Sequence, residues 1–161
     1  MSEFDISLAR KTDCIELAEL SRVAIEYGLR WRWKPSKVLE LIKGPESCVI
    51  VARAPSGELM GFAAMDFMAT HAHLILLATV ARYRRQQVGS RLLNWLEDSA
   101  SVAGVEYVSL EVRQENGSAV AFYEHHGYSI EKIKSGYYQG SEDAYRMRRD
   151  LIDHQVAKRR P

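Results

Sequence analysis

Apolar positions along the chain switch between two spacings, and the switches mark the elements. Ile6, Leu8 and Arg10 alternate in a short first strand. Thr12 or Asp13 then caps a helix whose apolar residues, Ile15, Leu17, Leu20, Val23 and Ala24, recur at helical spacing, and Gly28 loosens its end. A second, short helix starts at Pro35 or Ser36, runs through Val38, Leu39 and Ile42, and stops at Gly44-Pro45. Residues 48–54 and 59–68 read as a hairpin around the turn Pro55-Ser56-Gly57-Glu58. The apolar run 73–80 is a buried strand. Val88, Leu92, Leu93 and Leu96 mark one side of the helix that follows, which reaches about Ala103 and ends near Gly104. Residues 107–112 form a strand with apolar residues on both faces. Asn116 opens a helix containing Ala119, Val120, Phe122 and Tyr123, and Gly127 suits the position just past its end. Residues 129–134 and 144–149 are the last strands, joined by a loop over 135–141.

The resulting order is β-α-α-β-β-β-α-β-α-β-β. It predicts a mixed α/β fold with a mainly antiparallel sheet and helices on both faces. The unit from 73 to 112 is the one parallel β-α-β crossover, right-handed by the usual rule. Ligands on such sheets sit at the carboxyl ends of the parallel strands, which places residues 83–90 and 111–116 on one rim. A chain of 161 residues is expected to be a single domain, with a frayed basic tail from about residue 153. The formal net charge of +1 argues against bulk electrostatic binding to nucleic acid. Cys14 and Cys48 lack metal-ligand spacing and read as reduced thiols of a cytoplasmic protein. No signal peptide or membrane span is expected.

Candidate chemistry gathers at two places. Residues 83–93, Tyr-Arg-Arg-Gln-Gln-Val-Gly-Ser-Arg-Leu-Leu, form an arginine-rich turn from strand into helix. Unpaired N–H groups and the positive end of the helix dipole meet there, and together they suit a phosphate. The second place holds Glu111 in a strand, Asn116 at a helix start and Tyr123 two turns along that helix. A carboxylate is the right type for a general base, and a tyrosine can protonate a thiolate. His71, His73, His125 and His126 show no paired metal spacing and read as surface or packing residues, so no metal is expected.

From the residues Leu110-Glu111-Val112-Arg113-x-x-Asn116-x-x-Ala119-x-x-x-Tyr123-x-x-x-Gly127-Tyr128, the chain resembles the GCN5-related N-acetyltransferase (GNAT) superfamily. Within it, this run and Gly136-Tyr137-Tyr138 followed by Glu142-Asp143-Ala144 are similar to bacterial ribosomal-protein-alanine N-acetyltransferases. The family's cofactor loop reads Arg/Gln-x-x-Gly-x-Gly/Ala. Here Arg84, Arg85, Gln86, Gln87, Val88 and Gly89 occupy it, so Gln87 departs from glycine.

The resemblance implies direct transfer of an acetyl group from acetyl-CoA to a primary amine, preferably a protein N-terminal α-amine. It makes Glu111 the base and Tyr123 the acid. Arg84, Arg85, Gln86, Gln87, Val88, Gly89, Ser90 and Asn116 become cofactor contacts, and the backbone at Leu77, Ala78 and Thr79 holds the oxyanion. Trp31 and Trp33, interleaved with Arg30, Arg32 and Lys34, are either an acceptor wall, core packing or a dimer contact. Tyr137 and Tyr138 are either peptide-site or edge-strand residues. The rival activities are acetylation of a small amine (polyamine, amino acid or antibiotic) and a non-catalytic domain that senses coenzyme A. Either a monomer or a homodimer fits.

Overall fold

The computed structural model describes residues 3–151. The basic tail expected from about residue 153 lies outside the described residues. The elements in chain order are β1 (Asp5–Leu8), α1 (Cys14–Ala24), α2 (Pro35–Lys43), β2 (Ser47–Arg53), β3 (Leu59–Phe67), β4 (His71–Thr79), α3 (Val88–Ala103), β5 (Tyr107–Arg113), α4 (Gly117–His125), β6 (Ser129–Tyr138) and β7 (Glu142–Asp150). Short 3₁₀ turns precede α1 and follow β4. The sheet has seven strands in the hydrogen-bonded order β1-β2-β3-β4-β5-β7-β6. The β4–β5 pair is parallel, as the 73–112 crossover requires, and the rest are antiparallel.

The chain groups into two compact units. The first runs up to Phe67 and adds Ile75–Leu96; the second holds Met68–Leu74 and continues from Glu97. In the first unit, β2 and β3 form the expected hairpin, with Val49↔Ala64 and Val51↔Phe62 as partners. β3 is buried over its first seven residues and β2 over four in its middle. Phe62, Ala64, Val49 and Val51 pack with Leu17, Ala18 and Leu20 of α1 and Val38 of α2. On the opposite pleat Gly61 meets α3. A Cβ at Gly61 would lie 2.7 Å from the Ala78 carbonyl oxygen and 3.0 Å from Val88 Cγ1. Only a residue without a side chain lets the end of β4 and the start of α3 come that close to β3.

Not every apolar position of α1 faces inward. Ile15 and Val23 are 65% and 66% exposed, because Leu17, Ala18, Leu20 and Ser21 already fill the buried stripe. Asp13 stands at the helix start without capping it. Its carboxylate instead accepts from the Arg10 N–H (2.7 Å) and from Arg53 (2.8 Å).

In the second unit, β4 and β5 pair over four positions, from His71↔Tyr107 to Leu74↔Leu110. β5 and β7 pair antiparallel through Leu110↔Met147 and Glu111↔Arg146. Of the apolar residues expected on both faces of β5, the second face carries Tyr107 alone, half-buried. Val108, Leu110 and Val112 are buried on one face, while Ser109, Glu111 and Arg113 alternate with them on the other.

Gly127, φ +90°, supplies the left-handed turn after α4. The loop expected over 135–141 is also shorter than the sequence reads. β6 continues through Tyr138, held by the pair Tyr138↔Glu142 and by the Gly136 N–H donating to Asp143 (2.8 Å). Tyr137 and Tyr138 are therefore strand residues.

Candidate active site

The turn between β4 and α3 lies wholly in the first unit. Leu77 and Thr79 are half-buried at the end of β4 and Ala78 is buried. The 3₁₀ turn Ala81–Tyr83 is tied back to the β2–β3 hairpin, where Glu58 takes both an ion pair from Arg82 and the Tyr83 hydroxyl. Arg84 and Arg85 are exposed, as an anion-binding role requires.

Two loop residues, Arg85 and Gln87, have φ of +65° and +66°. Gln87, the departure from the family's glycine, thus keeps a glycine backbone. The Gln87 carbonyl accepts the N–H of Arg91 (3.0 Å), which closes the first turn of α3. The N–H groups of Val88 and Gly89 come before that bond, at the end of the helix where donors outnumber intrahelical acceptors. Val88 is buried under Gly61 while Gly89 and Ser90 stay half-buried. Two left-handed residues stand before the helix start, and two exposed arginines flank it; left-handed turns ahead of a helix N-terminus are a geometry that can take an anion. Gln86 lies between the two left-handed residues, its amide donating to the Arg82 carbonyl (3.4 Å).

The second constellation lies wholly in the second unit. The Glu111 side chain is 7% exposed and held by two donors, His73 and Lys134. His73 Nε2 is 2.8 Å from Oε2, and Lys134 Nζ is 2.9 Å from Oε1. Burial pushes the carboxyl up, but hydrogen bonds and charge from His73 and Lys134 outweigh it and hold the pKa at about 2. Glu111 is thus an anion at any physiological pH. His73, which reads as a packing residue in the sequence, is its partner.

Tyr123 lies on α4, buried edge-on against Phe122 and Tyr128 at ring distances of 5.2 and 5.7 Å. Burial raises its phenol well above the ordinary tyrosine range, so it keeps its proton. Tyr138 is raised in the same direction, by burial first and then by Tyr137, Glu111 and Tyr123. Glu111, Tyr123 and Tyr138 therefore share one electrostatic neighbourhood. Asn116 caps α4: its Oδ1 accepts from the Ala119 N–H (3.2 Å) and the Ser118 hydroxyl (3.1 Å). Tyr137, 44% exposed, lies edge-on to Tyr138 and under the Lys134 ammonium.

Trp31 and Trp33 are partly buried against the first unit's core. Trp31 Nε1–H donates to the Ala18 carbonyl (3.2 Å), with Arg22 over its ring, and Lys37 covers Trp33. Their segment hangs on a buried carboxylate that the sequence gives no reason to single out. Glu26 accepts from the N–H groups of Arg32 (2.7 Å) and Trp33 (3.1 Å) and from the Ser21 hydroxyl (3.0 Å).

His73, Lys134, Gly61 and Glu26 are thus the residues that sequence reasoning misses. For His73 a signal existed. It alternates with buried Ala72 and Leu74, and four-pair parallel pairing sets it beside Ser109, on the Glu111 face.

Among known proteins, the chain is 29% identical over 146 residues to N-alpha-acetyltransferase 20 of Dictyostelium discoideum, covering 88% of this chain and 84% of that protein. It is 36% identical over 92 residues to the [ribosomal protein bS18]-alanine N-acetyltransferase of Escherichia coli K12, covering 55% and 62%. The crystal structure of Ard1 from Thermoplasma volcanium superposes with a TM-score of 0.82 at 27% identity, over 92% of this chain and 98% of that one. The family model described as acetyltransferase (GNAT) matches residues 14–128, well over half of the sequence, and the chain belongs to that family.

Proposed function

We propose that this chain acts as a single N-acetyltransferase domain of the cytoplasm, moving the acetyl group of acetyl-CoA directly to a primary amine, the α-amine of a protein N-terminus being preferred. Similarity to relatives named for N-terminal and ribosomal-protein acetylation supports that acceptor. Cys14 and Cys48 are both free, in keeping with a reducing compartment. Among the described residues no helix is long and apolar enough to cross a membrane.

The cofactor supplies an activated thioester. Arg84, Arg85 and the N–H groups at the start of α3 bind its phosphates, with Asn116 as a further contact. Main-chain N–H groups at Leu77, Ala78 and Thr79 hold the charge that develops on the carbonyl oxygen. Tyr123 is protonated at neutral pH and is the proton source for the departing sulfur, whose developing negative charge draws the proton off.

The observation that carries the reading is Glu111, a buried carboxylate whose pKa of about 2 keeps it charged. A base that weak favours one order of events. A free α-ammonium near ~7.7–8 lies roughly 6 units above Glu111, so handing it a proton directly would cost about 8 kcal/mol. The amine must therefore lose one proton to water first, which α-amines do readily near neutrality. Glu111 orients the neutral nitrogen and takes the second proton only once the new C–N bond has made that nitrogen strongly acidic. No residue need form an acyl-enzyme.

A non-catalytic sensor would find its support in Gln87, but the left-handed backbone there retains the loop's shape. The test is thiol release from acetyl-CoA with Ala- and Ser-starting peptides, a polyamine and an aminoglycoside. Release with the peptides is expected. Release with the small amines alone, or with none, would overturn the reading.

A further inference from the structure

We propose that His73 is a positioning residue for this reaction: backed by Ser109 and balanced by Lys134, it fixes the Glu111 carboxylate in one orientation toward the acceptor nitrogen. The inference rests on the role given to Glu111 above. Nε2 of His73 lies 2.8 Å from Glu111 Oε2, so a hydrogen must stand between them, and Nε2–H donates. The other ring nitrogen, Nδ1, lies 2.8 Å from Ser109 Oγ. Ser109 is wholly buried. Its hydroxyl can donate to Nδ1 when the ring is neutral and accept from it when the ring is charged. The bond from His73 to Glu111 therefore survives in both charge states.

Strand geometry builds this chain of contacts. His73 of β4 pairs with Ser109 of β5, and Glu111 is two residues further along the same face. The order serine–histidine–carboxylate is not a nucleophilic triad, because a serine with no exposed surface cannot reach a thioester.

The remaining groups around Glu111 are one cation and two neutral phenols. Arg146 stands opposite it on β7, with Glu131 at 3.4 Å. Its Nε is buried with no hydrogen-bond partner among the described residues. Tyr138 faces Glu111 from β6 and Tyr123 lies on α4, both phenols raised and so neutral. A carboxylate offers about four lone-pair sites. His73 and Lys134 take one on each oxygen, which leaves one on each for the acceptor's N–H.

The test is a double-mutant cycle on the full chain. His73→Ala and Glu111→Gln are made singly and together, with His73→Gln as a variant that keeps a donor. Kinetics use acetyl-CoA and an Ala-starting peptide. Expected for His73→Ala is a fall in kcat of roughly tenfold or more, with the KM for acetyl-CoA within about twofold. His73→Gln should recover part of the loss. In the Glu111→Gln background His73→Ala should change kcat less than about twofold. An equal loss in both backgrounds, or no loss at all, would overturn the proposal.

A second readout separates its failure from failure of the activity. In a ¹³C-NMR titration, the Glu111 carboxyl midpoint should rise in His73→Ala and fall partway back in His73→Gln. A midpoint unmoved by His73→Ala overturns the proposal even if no amine tried is acetylated.

Discussion

Gln87 is expected to tolerate glycine better than it tolerates alanine. Its φ of +66° puts an L-residue where Cβ crowds the following carbonyl, at a cost of about 1–2 kcal/mol that glycine escapes. Glycine gives back about 0.5–1 kcal/mol in chain entropy on folding. Alanine keeps the strain. Both variants delete the same exposed side chain, so the difference between them isolates the backbone. Gln87→Gly should exceed Gln87→Ala by about 1 kcal/mol in urea unfolding, or about 2–4 °C in Tm for a chain of this size. Position 86 is the control. Gln86 is not among the residues with positive φ, so there alanine should exceed glycine by about 0.5–1 kcal/mol. Positions 86 and 87 responding alike would refute a left-handed turn as the element that shapes this loop. The same glycine removes a side chain next to the loop N–H groups. Calorimetric titration with coenzyme A should accordingly show tighter binding to Gln87→Gly than to the parent chain.

Three further outcomes follow from the geometry. Tyr123→Phe should lower kcat by roughly 10²-fold while coenzyme A binding stays within about twofold; an unchanged kcat removes Tyr123 from the acid role. Gly61→Ala forces a Cβ to within 2.7 Å of the Ala78 carbonyl oxygen and should cost about 1–3 kcal/mol in urea unfolding, and a change below about 0.5 kcal/mol would mean the strands are looser than described. Glu111 has a folded pKa of about 2, below the ordinary ~4.3, so its stabilising contribution is present above about pH 4.3 and is lost as pH falls through 2. The gap of roughly 2 units is worth about 3 kcal/mol, and Glu111→Gln should lose correspondingly less stability on acidification than the parent; equal losses would deny the ion pairs.

The sequence shows the order of elements clearly because its signals are local. Pro35 at a helix start, Gly44-Pro45 at its end, the turn 55–58 and Asn116 before Ala119 each act within a few residues, and all lie where expected. What depends on partners far along the chain was not legible. Ile15 and Val23 satisfy the helical period yet are exposed, because the width of a buried stripe is set by what packs on it. The length of β6 was hidden because it hangs on cross-strand contacts of Tyr138 and Gly136. In the site, Glu111 and Tyr123 could be named from a resemblance, whereas His73 and Lys134 could not. Their meaning comes from register, which sets residues 38 and 23 positions away from Glu111 onto the same carboxylate. Gln87 is the reverse case: its identity looked like a defect, and only its backbone angle shows that the turn is kept.

The alternation along β5 and β7 also bears on how the chain finds its native pairing. A slip of one residue would turn Glu111, Arg146 and Arg148 toward the side now filled by Leu110 and Met147. Each unpaired charge so buried would cost several kcal/mol, so mispaired forms are rejected as they arise. β6 has no such safeguard. Its first five residues are all exposed and its pairing with β7 shifts twice. Insertions are therefore tolerated best in its exposed first half, ahead of Lys134. Sequence drift can remodel that half over generations while β5, β7 and the Lys134 contact to Glu111 stay as they are.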